Sequence, residues 1–418
     1  MGIFTPFYKK TNLNIRQKYN ASVKIKSMTD QMTLAKIAME ASSHDLRSIA
    51  VLNKNLTDPA LLAKIALESE DAFIRRMAVK SSHFTDAAAL SKLARDADAD
   101  VRLAVLDNPR FTDAAALARL ALEDAKAEIR LAAVQSPNMT DPAVLARAAL
   151  EDSDSRVRRA AVCSRYMTDA AALAKVARND PDDRIRAFAA FDPHLNDPDT
   201  LAKAALEDAS ANVRLDALKN PNMTDAAVLA RAALEDADDR VRRAALQKAE
   251  LNDPNVFARA ALEDPDEGIR MIACGKVTDA AVLAKIARED PSDRVRGAAV
   301  DNPALSDADV LCRIAADDPD RHPESRWKAA VKLSRIAPDR AVAPLVRLLK
   351  TEKRIRHAEV KLCSEGVRFL MSRYGETADA AVRREIESLP NGRYGYSETS
   401  EYCGADHTDE TVQFIIPR

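Results

Sequence analysis

Cysteine and histidine, the side chains that most often bind metals or attack substrates, are scarce in this chain: five and six in 418 residues. Cys403 and His407 stand four apart, with His357 and Cys363 upstream. His357 and Cys363 are six residues apart and fall on different helix faces, so four zinc ligands do not converge. The cysteines (Cys163, Cys274, Cys312, Cys363, Cys403) are odd in number, scattered and without a CxxC pair, which supports neither a disulfide framework nor a zinc ribbon. No GxGxxG, Walker loop, GxSxG or HExxH occurs. Carboxylates are plentiful, but they recur at fixed intervals, as helix caps and solvated faces do. The expectation is a chain with no catalytic residue, no metal and no cofactor, and so not an enzyme.

The interval is set by a repeat. "MTDAAVLARAALEDADDRVRRAAL" at 223–246 is close to "MTDPAVLARAALEDSDSRVRRAAV" at 139–162. With the Asp of each TD, ND or SD as position zero, the anchors are Asp30, Asp58, Asp86, Asp113, Asp141, Asp169, Asp197, Asp225, Asp253, Asp279 and Asp307. Eight of the ten intervals are 28 residues, one is 27 and one 26. Eleven phased copies mean a solenoid, and the length of the chain is then no guide to domain number.

Each copy spells a helical hairpin. Asp58, Asp141, Asp197 and Asp253 precede Pro, the signature of an N-cap followed by proline at the first helical position. Position +4 is Leu in ten copies and Phe257 in the other, and +8 is Ala in all eleven, implying a helix contact too close for a larger side chain. After a short turn a second helix places apolar residues at +16, +19, +20 and +21. Asn-Pro pairs such as Asn108-Pro109 and Asn220-Pro221 then stop it. A lone hairpin cannot bury its apolar face, so stacking must supply the core.

Two cationic positions recur. Position +6 is Lys or Arg in every copy, from Lys36 to Arg313, but it lies opposite the apolar face, and +10 is acidic in ten of the eleven copies. Such i,i+4 pairs read as a solvated outer face rather than a phosphate track. Position +17 is Arg47, Arg75, Arg130 and so on to Arg296, with Arg102 displaced by the short copy; it sits beside the second helix's apolar face.

Positions +18 and +22 change in kind from copy to copy and should line the inner, concave surface. They include Arg76, Leu103, Leu131, Arg159, Leu215, Arg243 and Met271 at +18, and Phe191 at +22. Apolar anchors interleaved with Arg suit a protein or peptide partner. A plainer reading is that the Leu residues close against neighbouring helices.

The phrase VRxAAxxNPxLxD resembles the leucine-rich repeat variant family, and the paired helices with DxxVRxxA resemble HEAT-like repeats, over roughly residues 28–390. The resemblance implies an all-α, right-handed α-solenoid of about eleven 28-residue hairpins with a HEAT-like C-terminal cap. HEAT-like arrays serve mainly as binding scaffolds, though they include DNA glycosylases and chromophore lyases. Variant repeats with an iron–sulfur module carry a cysteine cluster that this chain lacks. In HEAT-like families the Arg at the +17 place links neighbouring repeats through an acidic residue; here the Asp at +11 or +13 is available.

The resulting organisation is a basic N-terminal arm (1–27), the repeat solenoid (28–321), a C-terminal cap (322–390) and a polar tail or clip (391–418). Net charge is −2, with six basic and no acidic residues in 1–28, and 13 basic against five acidic in 321–372. Bulk charge excludes a strongly basic nucleic-acid binder. No apolar run reaches membrane-spanning length, and no signal-type stretch opens the chain, so a cytoplasmic protein without a membrane partner is expected. The main functional expectation is a non-enzymatic protein-binding scaffold. The alternative is nucleic-acid binding by the basic ends through Arg321, Arg326, Lys328, Lys332, Lys350, Lys353, Arg354 and Arg356.

Overall fold

The computed structural model describes residues 9, 14–317, 324–351, 357–390, 392–394 and 412–414. The chain forms two compact units, Met1–Ala204 with Asn220–Asn222, and Ala205–Lys219 with Met223–Arg418. The fold is an all-α helical-repeat solenoid. The strands among the described residues are Gly392–Tyr394 and Val412–Phe414, an antiparallel pair with Arg393 opposite Gln413.

In the first unit, hairpins such as Ala114–Glu123 with Ala127–Val134 and Pro142–Glu151 with Ser155–Val162 stack so that first helices pack on first helices and second on second. The same two rows recur in the second unit, for example Ala226–Glu235 with Asp239–Gln247, followed by Pro254–Glu263 with Glu267–Cys274. Helix Glu324–Ile336 packs on both Ala308–Asp317 and Asp293–Asp301, taking a second-helix place. Within it, Trp327 is fully buried. A Cβ on Gly366 would lie 2.9 Å from Leu345 Cδ2 and 3.4 Å from the Trp327 ring, so a larger residue there would force the Leu345 side chain to shift.

The anchor carboxylates cap their helices: Asp58 accepts from the Ala60 amide at 2.8 Å and Asp141 from Ala143 at 2.9 Å. Asp30 differs, its carboxylate turning to the Thr33 hydroxyl. Every +4 side chain and every +8 alanine is buried, so the fixed letters are the core. A further core position precedes every anchor but Asp30 by two residues, as in Leu56, Phe84, Met139 and Leu305. The structure corrects one assignment. Position +19 is not core outside the shortened third copy, where Ala104 is buried: Phe188 there is 44 % exposed, and Ala132, Ala160 and Ala244 are half-buried.

Two ladders join hairpin to hairpin. In the first, Arg102 donates from Nε and Nη2 to both oxygens of Asp124 (2.6 and 2.9 Å) and from Nη1 to the Asp96 carbonyl (2.7 Å). Arg75–Asp96, Arg130–Asp152 and Arg158–Asp180 repeat this in the first unit, and Arg214–Asp236, Arg242–Asp264 and Arg270–Asp290 in the second. Each +11 Asp also accepts the amide two residues on, as Asp152 does from Asp154 at 2.8 Å, while the +13 Asp caps the second helix. Burial alone would raise the Asp124 and Asp152 carboxyls, but the guanidinium and amide donors outweigh it and hold both below the usual range.

The second ladder is amide. Asn220 is fully buried; its Nδ2 donates to the Ala190 and Asp192 carbonyls, each at 2.8 Å, and its Oδ1 accepts from the Asn222 amide. Asn53, Asn108 and Asn302 do the same for the helix ends before them. Lys276 and Lys332 reach equivalent carbonyls with their ammonium groups, at 2.6 Å to Leu246 and 2.7 Å to Val300. Orphan carbonyls at helix C-termini are satisfied in this way between repeats.

Candidate functional site

No three His, Cys, Asp or Glu gather to hold a metal among the described residues. Burial pushes the Cys274 thiol up to about 12 and also raises Cys163, where the Arg159 charge offsets part of the effect. Cys403 and His407 lie outside the described residues, as do Arg321, Lys353, Arg354 and Arg356.

The basic cap residues that are described have structural work. Lys328 Nζ lies 2.7 Å from Asp301 and 2.9 Å from Glu324, and packs 3.2 Å from where a Cβ on Gly297 would be. Lys332 serves helix carbonyls, and Lys350 donates to the Ser388 hydroxyl at 2.6 Å. These two lysines bond the protein's own oxygens. On the outer row, Arg147–Glu151, Arg231–Glu235 and Arg259–Glu263 form the i,i+4 pairs that neutralise the +6 stripe, all with side chains more than half exposed.

The second-helix row carries the variable residues. In the first unit Leu103 and Leu131 are half-buried rather than exposed. Arg76 is bound to Asp100 at 2.5 Å and lies 5.3 Å from the Phe73 ring centroid. Arg159 is exposed and has no ion pair among the described residues. Phe191 is 50 % exposed. In the second unit Leu215 and Met271 are half-buried, and Arg243 bonds Asp266 at 3.2 Å while lying over Gly268, where a Cβ would meet its Nη2 at 3.0 Å. Position +22 is exposed throughout, from Leu52, Lys80 and Gln135 to Lys219 and Gln247.

Arg184 and Phe188 escaped sequence reasoning. The exposed residues of helix Asp183–Phe191 are Arg184, Phe188 and Phe191, at i, i+4 and i+7, a single stripe. The signal was present: Phe188 stands where Ala132, Ala160, Ala244 and Ala298 stand in other copies.

No family model matches the chain, and no curated protein does. Solved structures that align with it include E. coli YibA, at 16 % identity over 70 % of this chain and 97 % of that one, with a TM-score of 0.27. Importin beta aligns at 16 % identity over 91 % of this chain and 53 % of its own, TM-score 0.27. The Kap95:Nup1 complex aligns at 14 % identity, 90 % and 57 %, TM-score 0.30. The chain thus spans about half the length of these last two. Among the described residues no helix is long and apolar enough to cross a membrane.

Proposed function

We propose that the chain is a cytoplasmic, non-enzymatic scaffold whose second-helix row is a concave face holding a protein or peptide partner. The supporting observation is a division of labour along that row. The buried +4 and +8 positions and the ladder Arg at +17 keep nearly one residue type from repeat to repeat, while +18, +19 and +22 vary and reach solvent at Arg159, Phe188 and Phe191. Interface energy concentrates in a few aromatic and Arg anchors, so Arg159 and Phe191 each contribute roughly 1–3 kcal/mol to binding. Arg76, Leu103 and Leu131 extend that face in the first unit. Leu215, Arg243 and Met271 form its counterpart in the second.

Affinity capture from the native cell with the wild type and with Arg159→Ala/Phe191→Ala tests this. Partners held by the wild type should be lost from a double variant whose circular dichroism and melting curve are unchanged. Recovery of the same partners in the same amounts places the binding surface elsewhere. Nucleic-acid binding predicts instead a gel shift that weakens steeply with salt.

A further inference from the structure

The exposed surface of helices Ser155–Val162 and Asp183–Phe191 departs from the rest of the row in both charge and polarity. The two helices pack side by side in the first unit. Phe188 and Phe191 are 44 % and 50 % exposed and are aromatic where other copies carry Ala, Asp216, Ile49, Met77 or Ile272 at +19, and Leu52, Cys163, Gly275 or a polar residue at +22. They are therefore not needed to hold the hairpin together, and exposing two rings without a partner has no benefit to folding.

The charges around them are unbalanced. Arg156 is neutralised by Asp154 at 2.7 Å. Arg159 and Arg184 make no side-chain ion pair among the described residues, whereas Arg76 and Arg243, at the +18 place elsewhere, are matched by Asp100 and Asp266. Nearby carboxylates are engaged: Asp182 accepts the Arg184 backbone amide at 2.9 Å, and Asp192 holds His194 through the amide and ring at 2.8 and 3.0 Å. The patch thus offers two uncompensated guanidiniums beside two phenyl rings.

Resting on the scaffold reading above, we infer that this patch recognises an acidic peptide segment bearing apolar anchors. Two guanidiniums call for two or three carboxylates, which they bind in bidentate fashion, and the rings call for Leu, Ile or Phe side chains between them. Two free cations are too few to follow a nucleic-acid backbone, whose affinity grows with each phosphate neutralised.

The test is panning of a displayed random-peptide library on the full chain, in parallel with Phe188→Ala/Phe191→Ala and with Arg159→Glu/Arg184→Glu. Enriched peptides should be acidic with spaced apolar residues, and should bind either variant roughly tenfold or more weakly. Replacing their acids with Lys should move preference to the charge-reversed variant. Basic or uncharged consensus sequences that still depend on Phe188 and Phe191 would overturn the acidic class while leaving the scaffold reading in place. No enrichment, or peptides indifferent to every substitution on this face, would overturn both. Competition by a single-stranded oligonucleotide or by a second copy of the chain would assign the patch to that occupant instead.

Discussion

At the scale of single residues, the buried amide of Asn220 shows how a polar group can be a core element. It has no solvent contact, and its role is to donate to carbonyls that a helix end leaves unpaired. Asn220→Ala removes those donors and the acceptor for Asn222, at a cost of about 1–3 kcal/mol, read as a lower urea midpoint. Asn220→Asp keeps the size and the acceptor but cannot donate, and it should cost at least as much. An Asp variant as stable as wild type would show that volume rather than donation matters at this site. In the sequence the Asn-Pro pairs were visible only as helix stops. Their second role depends on where the preceding hairpin's carbonyls fall, across more than 20 residues of chain, and no local pattern reports that.

At the scale of the element, the phase of apolar letters revealed both helices of each hairpin, the capping aspartates and the invariant small residue at +8. What it blurred was the edge of the second helix's buried face. Position +20 reads as alanine in nearly every copy and +19 as alanine in about half, as at Ala132, Ala160 and Ala244, and alanine is too small to say which side it faces. Asp216, a carboxylate at +19, and the exposed ring of Phe188 reveal that this position looks outward. The half-burial of Leu103 and Leu215 was likewise not legible in the letters. The closeness implied by +8 can be tested in helix Pro142–Glu151, where Ala149 is 1 % exposed. Ala149→Leu should overpack the layer by about 1–3 kcal/mol and lower the melting temperature. Ala132→Leu, at the half-buried +19 place of the neighbouring hairpin, should change it far less.

At the scale of the whole molecule, charge makes stability depend on acid. Asp71 is held at about 2 against the opposing effect of burial, by donors from Arg47, His44 and the Phe73 amide. Asp238 is drawn to about 2 by its bond to Arg240, and Asp124 and Asp152 are lowered as well. A carboxyl whose folded value lies below its ordinary 3.8 stabilises the fold above that value, and its contribution disappears as pH falls through the folded value. The urea midpoint should therefore be level from neutral pH to about 4 and fall between about 4 and 2. A midpoint that stays level to pH 2 would mean the aspartates titrate alike in the folded and unfolded chain. The Arg–Asp ladder has one more consequence, for the history of the chain rather than its energetics. Arg102 reaches Asp124, and Asp152 stands 28 residues further on in the same setting. Excising residues 113–140 would present Arg102 with Asp152 in place of Asp124, and duplicating them would present one more equivalent pair. Such a chain can gain or lose whole hairpins in a single genetic event without any contact having to be invented, so its length is open to inheritance in a way that the length of an ordinary globular domain is not.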